Sequence, residues 1–309
     1  MSKAATFAMR EGGGSFSTVA TQTERFKPFC EFMRERYNIK DLRFIREPHL
    51  IEYADHVNGL TEREEKPIAI KTAHNRLSAV NRVLEQARGD KDLWISPSKY
   101  LPPKSGIATH SRAPSTRLID EANRIFTDAR FGDRFVAMGQ VCVQFGLRFK
   151  ESVLLNGAKA LREALETGAV TISRGAKGGK SRTVPITSQA QIRALSQVAH
   201  AQGQARCLIP NGMSYKEFRA VAYRVNAKTN LNGWHGLRHR YAQQRYLRLM
   251  GVPCPVNTGI RHGVMHHRYI ADQLGCSLAE AKSRDKEVRE RIAEELGHGR
   301  AEITNSYLG

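Results

Sequence analysis

Cysteine is scarce and unpatterned in this chain: Cys30, Cys142, Cys207, Cys254 and Cys276 make an odd set of five with no C-x-x-C pair. Such a set excludes a disulfide framework and fits reduced thiols, most of them small core residues. No run of about 18 apolar residues occurs, and the first thirty residues lack a basic start followed by an apolar stretch. Neither a membrane span nor a secretory signal is therefore expected, and the expected location is cytoplasmic. Acidic residues are the other shortage. Asp and Glu number 30 against 49 Lys and Arg, a formal net charge of +19. That surplus must lie on solvated faces where a polyanion can meet it, which makes nucleic acid the leading partner.

The few carboxylates also form no metal-binding cluster. Asp90 and Asp92 are close, but Lys91 separates them in a turn-like segment where capping or solvation is the commoner role. Cys254, His262, His266 and Cys276 match no standard zinc spacing, so no metal is expected. If the substrate is a phosphodiester, its negatively charged five-coordinate transition state must then be met by fixed arginine, lysine and histidine.

What is present suffices for real cores: 40% of the 309 residues are apolar, and at about 150 residues per domain the length suggests two domains. Residues 1–15, with Gly12-Gly13-Gly14, show little apolar periodicity and read as a flexible leader. From Phe16 to Trp94 the period is helical, with Phe26, Phe29, Cys30 and Met33, then Leu50, Tyr53, Ala54 and Val57, then Ile70, Ala73, Leu77, Val80 and Leu84 at three- and four-residue spacings. The basic residues on the opposite faces suit either a solvated surface or a phosphate track. Residues 95–114, rich in Pro and Ser, read as a linker.

A second domain, 115–309, follows. Helices are expected over Ser115–Ala129, Phe131–Phe145, Gln189–Ala201, Tyr215–Lys228, Gly236–Met250 and Ser277–Leu296. Between them, 169–173 and 182–186 are β-rich and bracket a Gly- and Lys-rich turn, the signature of a hairpin. The fold class is mainly α with a small β-sheet (α+β).

Four islands hold the chemically competent residues. In Gly146-Leu147-Arg148-Phe149-Lys150-Glu151, the spacing lets Glu151 orient the Arg148 fork or simply form a surface ion pair. The hairpin tip carries Lys177-Gly178-Gly179-Lys180-Ser181-Arg182, either a solvated turn or a close approach to a backbone. His235-Gly236-Leu237-Arg238-His239 opens a helix, placing His235 and Arg238 within one turn. Leu296-Gly297-His298 precedes Tyr307 near the end of the sequence.

Taken in this order, the islands resemble the tyrosine recombinase (phage integrase) family, whose signatures are an Arg in G-L-R-x-x-E, a hairpin Lys, H-x-L-R-H, L-G-H and a following Tyr. The resemblance is close from about residue 115 onward. Over residues 16–94 it rests on helical, basic character alone. It implies a helical core DNA-binding domain at 16–94 and a catalytic domain at 115–309, closing on double-stranded DNA. Position by position it implies that Arg148 and Arg238 hold the scissile phosphate, Tyr307 is the nucleophile and His235 takes the phenol proton or aligns the phosphate. His298 would donate to the phosphate and Lys177 would protonate the leaving 5′-hydroxyl. Glu151 and His239 would be supporting, with Lys180 and Arg182 on the DNA backbone. No cofactor is implied, because a phosphotyrosyl ester conserves the energy of the broken strand. The implied assembly is a homo-tetramer on two DNA sites at the nucleoid, with accessory DNA-bending proteins. The implied activity is site-specific recombination for a mobile element, the alternatives being a type IB topoisomerase-like enzyme or an inactive DNA-binding protein.

Two departures from the family pattern stand out. Arg238 and His298 are 298 − 238 = 60 positions apart, so that 251–286 reads as an insertion, and only Leu308 and Gly309 follow Tyr307. Together they lead to the expectation that the inserted stretch supplies contacts between protomers.

Overall fold

The computed structural model describes all residues, Met1–Gly309, and divides into two units, Met1–Ser105 and Gly106–Gly309. No helix is long and apolar enough to cross a membrane. All five cysteines are free.

The first unit contains α1 (Ser2–Glu11), α2 (Phe16–Tyr37), α3 (Glu47–Gly59), α4 (Ile70–Arg88) and a single turn, α5 (Pro97–Tyr100). Its core is the set of apolar positions that the helical period marks, with Phe26, Phe29 and Met33 of α2 meeting Leu50, Tyr53 and Val57 of α3 and Leu77, Val80 and Leu84 of α4. Residues 1–15 depart from the expected leader: Ala5 and Met9 of α1 are buried in this core, and Ser15 caps α2 by accepting from the Thr18 amide. The buried face of α1 is largely alanine, which packs closely yet contributes little to a hydrophobic pattern.

The expected linker is folded as well. Ile95 and Leu101 enter the first core, and Asn81, buried in α4, donates to the Ile95 carbonyl at 2.6 Å and accepts from its amide at 3.2 Å. The unit boundary falls after Ser105, and from there the chain belongs to the second unit, where the Ala108 amide donates to the Asn305 carbonyl at 2.9 Å.

The second unit is helical around one hairpin, as expected. Its elements are α6 (Thr116–Thr127), α7 (Gly132–Phe145), α8 (Phe149–Leu154), α9 (Gly157–Thr167), β1 (Ala169–Ile172), β2 (Arg182–Pro185), α10 (Gln189–Gln202), α11 (Tyr215–Asn226) and α12 (Gly233–Met250). After them come α13 (Pro255–Thr258), α14 (Val264–Leu274), α15 (Leu278–Glu295) and α16 (Asn305–Leu308). The strands pair antiparallel with Ala169 opposite Pro185 and Ile172 opposite Arg182. This register turns Val170, Ile172 and Val184 into the core and leaves the turn in solvent. Helices α8, α9 and α14 carry no separate sequence expectation. The stretch 251–286 is part of the same core, through Val252, Cys254, Ile270 and Ala281. It is therefore a structural wall of the unit and not a loose appendage.

Candidate active site

Two tight turns create the frame of the site. Helix α7 ends at Gly146, whose φ is +61° and whose missing Cβ would lie 2.5 Å from the Tyr241 ring and 2.7 Å from Leu296. Only glycine fits there. Gly297 ends the α15 turn at φ +66°, and a Cβ on it would lie 2.9 Å from Arg182 Cδ. The glycines of the G-L-R and L-G-H islands thus permit the two loops to pack against α12 and β2.

Arg238, on the second turn of α12 and 0% exposed, ties these loops together. Its Nη1 donates to the Gly146 carbonyl, and its Nη2 donates to the Leu296 carbonyl and lies 3.0 Å from His298 Nε2. The remaining donor, Nε, reaches the Tyr307 hydroxyl at 3.2 Å. The edge formed by Nε and Nη2 thus faces both the phenol and an imidazole. On the other side of the phenol, His235 Nε2 stands 3.4 Å from Tyr307 Oη. The Tyr307 ring itself is 4% exposed and packs on His239, with centroids 4.6 Å apart. Five of the residues singled out in sequence, His235, Arg238, His239, His298 and Tyr307, are brought into one cluster.

Arg148 belongs to a second layer of the same frame. Glu151, 0% exposed, accepts from the Arg148 amide at 2.7 Å and from its Nη1 at 2.8 Å, so the ion pair that the spacing allows is formed. The same carboxylate accepts from Arg182 Nη1 at 3.0 Å and Nη2 at 2.7 Å, while Arg182 Nε donates to the Glu295 carbonyl at 2.7 Å. This corrects the expected role of Arg182. Its guanidinium is buried and hydrogen-bonded at all three nitrogens inside the protein, where it braces the frame and is not presented to a DNA backbone. Lys177 and Lys180 are exposed on the hairpin turn and form no hydrogen bond or ion pair with the cluster.

Burial disfavours the ionised form of Glu151, but the hydrogen bonds and charges of Arg182 and Arg148 outweigh it and hold the carboxyl below its usual range. Removing this carboxylate leaves Arg182 buried without a counter-charge. Glu151→Ala is expected to lower stability by about 3–5 kcal/mol, measured by urea denaturation. A loss below about 1 kcal/mol would mean that Arg182 is not held by this pair.

The histidines are shifted the other way. Desolvation, then the charges of Arg238, Arg148 and Arg112, drives His235 from the ordinary 6.5 down to about 4. Burial, followed by repulsion from His235 and Arg112, brings His239 to about 4. Burial and then Arg238, Arg148 and Arg182 bring His298 to about 3. All three rings are neutral at pH 7. Arg238, lowered to about 10 chiefly by burial, remains charged. With Arg238 Nε donating to the phenol oxygen, the phenol proton is directed at a neutral Nε2 on His235, an arrangement suited to proton removal.

These shifts have a measurable consequence. An unfolded histidine protonates near 6.5 but these three do so near 4 or below, so between those values the unfolded chain binds more protons. The stability of the free protein should be level above about pH 6.5 and should fall as the pH drops from there toward 4. Melting curves of wild type and His239→Gln check this, the variant showing the shallower slope between pH 6.5 and 4.5, the range above the ordinary carboxylate titrations. Equal slopes would refute the assignment.

Sequence reasoning missed three features. Arg112, in the expected linker, adds positive charge beside His235 and His239. Gln243, two turns after His235 on α12, donates to the Tyr307 carbonyl at 3.0 Å and is itself fixed by the Ser111 hydroxyl at 2.9 Å. Asn305, at the start of α16, accepts from Arg289. No spacing in the sequence links these residues to Tyr307.

Both units of the chain are similar to known proteins. The family described as Integrase matches residues 106–244, and the family described as Phage integrase, N-terminal, matches residues 1–92. Among curated proteins no relative matches. Among solved structures, the Tn1549 transposon integrase in complex with transposon right end DNA is similar over 100% of this chain and 94% of its own, at 13% identity and a TM-score of 0.55. The XerH site-specific recombinase bound to difH substrate is similar over 98% of this chain and 79% of its own, at 16% identity and a TM-score of 0.53.

Proposed function

The chain belongs to the tyrosine recombinase family of integrases and is a site-specific DNA recombinase, and on that premise we propose that Tyr307 cleaves DNA by attacking the scissile phosphate in cis. One observation carries this reading: the phenol oxygen lies between a charged Arg238 Nε and the Nε2 of a neutral His235. The Tyr307 oxygen forms a bond to phosphorus while the bond from phosphorus to the 5′-oxygen breaks. The phenol proton passes to His235, and the leaving 5′-oxygen takes a proton from Lys177. The products are a 3′-phosphotyrosyl ester and a free 5′-hydroxyl. Attack on that ester by a partner strand's hydroxyl, with the protons returned, completes recombination.

The electrostatics fit a phosphate. Arg148 and Arg182 share one carboxylate, Glu151, while all the hydrogen-bond partners of Arg238 are uncharged. A buried cation without a counter-ion is costly in the free protein, and an entering phosphate supplies the missing charge. The incoming oxygens meet the Nε and Nη2 edge of Arg238, the exposed side of Arg148 and His298.

Lys177 acts from the hairpin turn, with Lys180 beside it on the DNA backbone. Replacing Lys177 with alanine should slow cleavage of ordinary DNA about 100-fold or more, yet hardly slow cleavage of a substrate with sulfur at the 5′ bridging position, because thiolate leaves unprotonated. Equal slowing of both substrates would remove Lys177 from the acid role.

We extend the reading to the whole molecule. The first unit grips the duplex through its basic helix faces, the active assembly is a homo-tetramer on two DNA sites aided by DNA-bending proteins, and the enzyme serves a mobile element at the nucleoid. The test is covalent capture of strand ends from a library of duplexes, followed by a two-site recombination assay on the recovered sequence. Recovery of a defined site and exchange between two copies support the proposal. Relaxation of plasmids lacking any such site, without exchange, would replace it with the topoisomerase reading.

A further inference from the structure

Helix α16 has four residues, too few to hold itself in place, so the position of Tyr307 depends on what holds the helix. One tether comes from α12, through Gln243 to the Tyr307 carbonyl. A second is the Ala108 amide, which donates to the Asn305 carbonyl, and a third comes from α15. Arg289 Nη1 donates to the Asn305 side-chain oxygen at 2.9 Å, two residues before Tyr307. Arg289 is 5% exposed, and one turn earlier Asp285, 3% exposed, accepts from its Nε at 2.8 Å. Asp285 also accepts from the Tyr246 hydroxyl of α12 and lies 3.3 Å from His267 Nε2 of α14. The guanidinium carbon stands 5.7 Å from the Tyr246 ring centre, and Arg289 Nη2 is buried without a partner.

An ion pair buried in this way, with one donor unmatched, adds little to stability over an apolar pair of the same size. What it does supply is direction: three helices fix the carboxylate, the carboxylate fixes the guanidinium, and the guanidinium points at the segment carrying the phenol. We propose that Asp285, Arg289 and Asn305 form a positioning relay that sets the height of α16, and with it the approach of Tyr307 Oη to the phosphate. This assigns a task in cis to the stretch 251–286, since His267 and Asp285 both belong to it. The proposal rests on Tyr307 being the nucleophile.

The experiment uses the full chain and a nicked duplex bearing the captured site, with peptide mapping of the wild-type adduct as the first step. An adduct mapped away from Tyr307 would refute the nucleophile reading itself, separately from the relay. Given a Tyr307 adduct, Asn305→Ala should slow single-turnover cleavage about 10-fold while duplex affinity stays unchanged and melting stays cooperative at a slightly lower temperature, because a small displacement of a reacting atom is costly in rate. Asn305→Asp should restore the rate, its two oxygens accepting both Nη1 and the unmatched Nη2 of Arg289. In the Asn305→Ala background, Arg289→Lys should add no further slowing. Unchanged cleavage in Asn305→Ala overturns the relay. So does a parallel loss of affinity or of cooperative melting, which would make the contact a general brace, and so does additive slowing in the double variant.

Discussion

Tyr307→Phe is expected to abolish covalent capture of DNA, lowering adduct formation by on the order of 10⁴-fold or more, because the nucleophilic oxygen is gone and nothing else in the cluster replaces it. The variant should fold. Phenylalanine fills the same slot on the His239 ring, and the loss is confined to the hydrogen bonds made by the hydroxyl with Arg238 and His235, about 1 kcal/mol of stability. Duplex binding should be retained or strengthened, since Arg238 Nε, freed from the phenol, becomes available to a phosphate oxygen. Denaturing gels with a nicked substrate measure the adduct, and mobility shifts measure the affinity. An adduct at undiminished yield would transfer the nucleophile role elsewhere, and a loss of binding in step with the adduct would make Tyr307 a DNA contact.

The second large effect is that of Arg238→Lys. The guanidinium reaches two carbonyls, an imidazole and a phenol at once, in a planar arrangement that a single ammonium cannot reproduce. Lysine at this position would leave at least one of the Gly146 and Leu296 carbonyls without its donor, and the loops bearing Arg148 and His298 would lose their common anchor. Stability should fall by about 2–4 kcal/mol. Single-turnover cleavage should fall about 10³-fold, because a fixed donor at the developing phosphorane charge is lost together with the alignment of the phenol. Denaturation and burst-phase cleavage at a temperature where the variant is folded separate the two effects. A variant that melts early yet cleaves at the wild-type rate would show Arg238 to be a brace only.

Arg238 and Tyr307 also illustrate what could be read before the fold was known. The G-L-R, H-x-L-R-H and L-G-H islands follow from residue type and order, and the glycines of the first and last, Gly146 and Gly297, hold turns that any other residue would disrupt. The helices of the first unit follow from apolar period, since burial of one face leaves that period in the sequence. Helix α1 escaped because alanine packs without a strong apolar signal, and the 95–114 segment because its Pro and Ser obscure two buried anchors, Ile95 and Leu101. Arg148 and Arg182 are indistinguishable as residue types, yet one keeps an exposed side toward the cluster and the other is enclosed by Glu151 and the Glu295 carbonyl.

The linear chain thus determined which residue types gather at the candidate site, the charge, the helical character of both units and the order of the parts. The tertiary structure alone decided which arginine is free to meet a substrate, which histidines are held neutral, and that α15 reaches the segment carrying Tyr307. The physical reason is range. Helical period and turn chemistry act over a few neighbouring residues, whereas the pairings that select a role join residues 31, 69 and 113 positions apart, as Glu151 with Arg182, Arg238 with Tyr307, and Arg182 with Glu295. Such pairs leave no periodic trace in a sequence, because a charge finds its partner only after the apolar faces have packed.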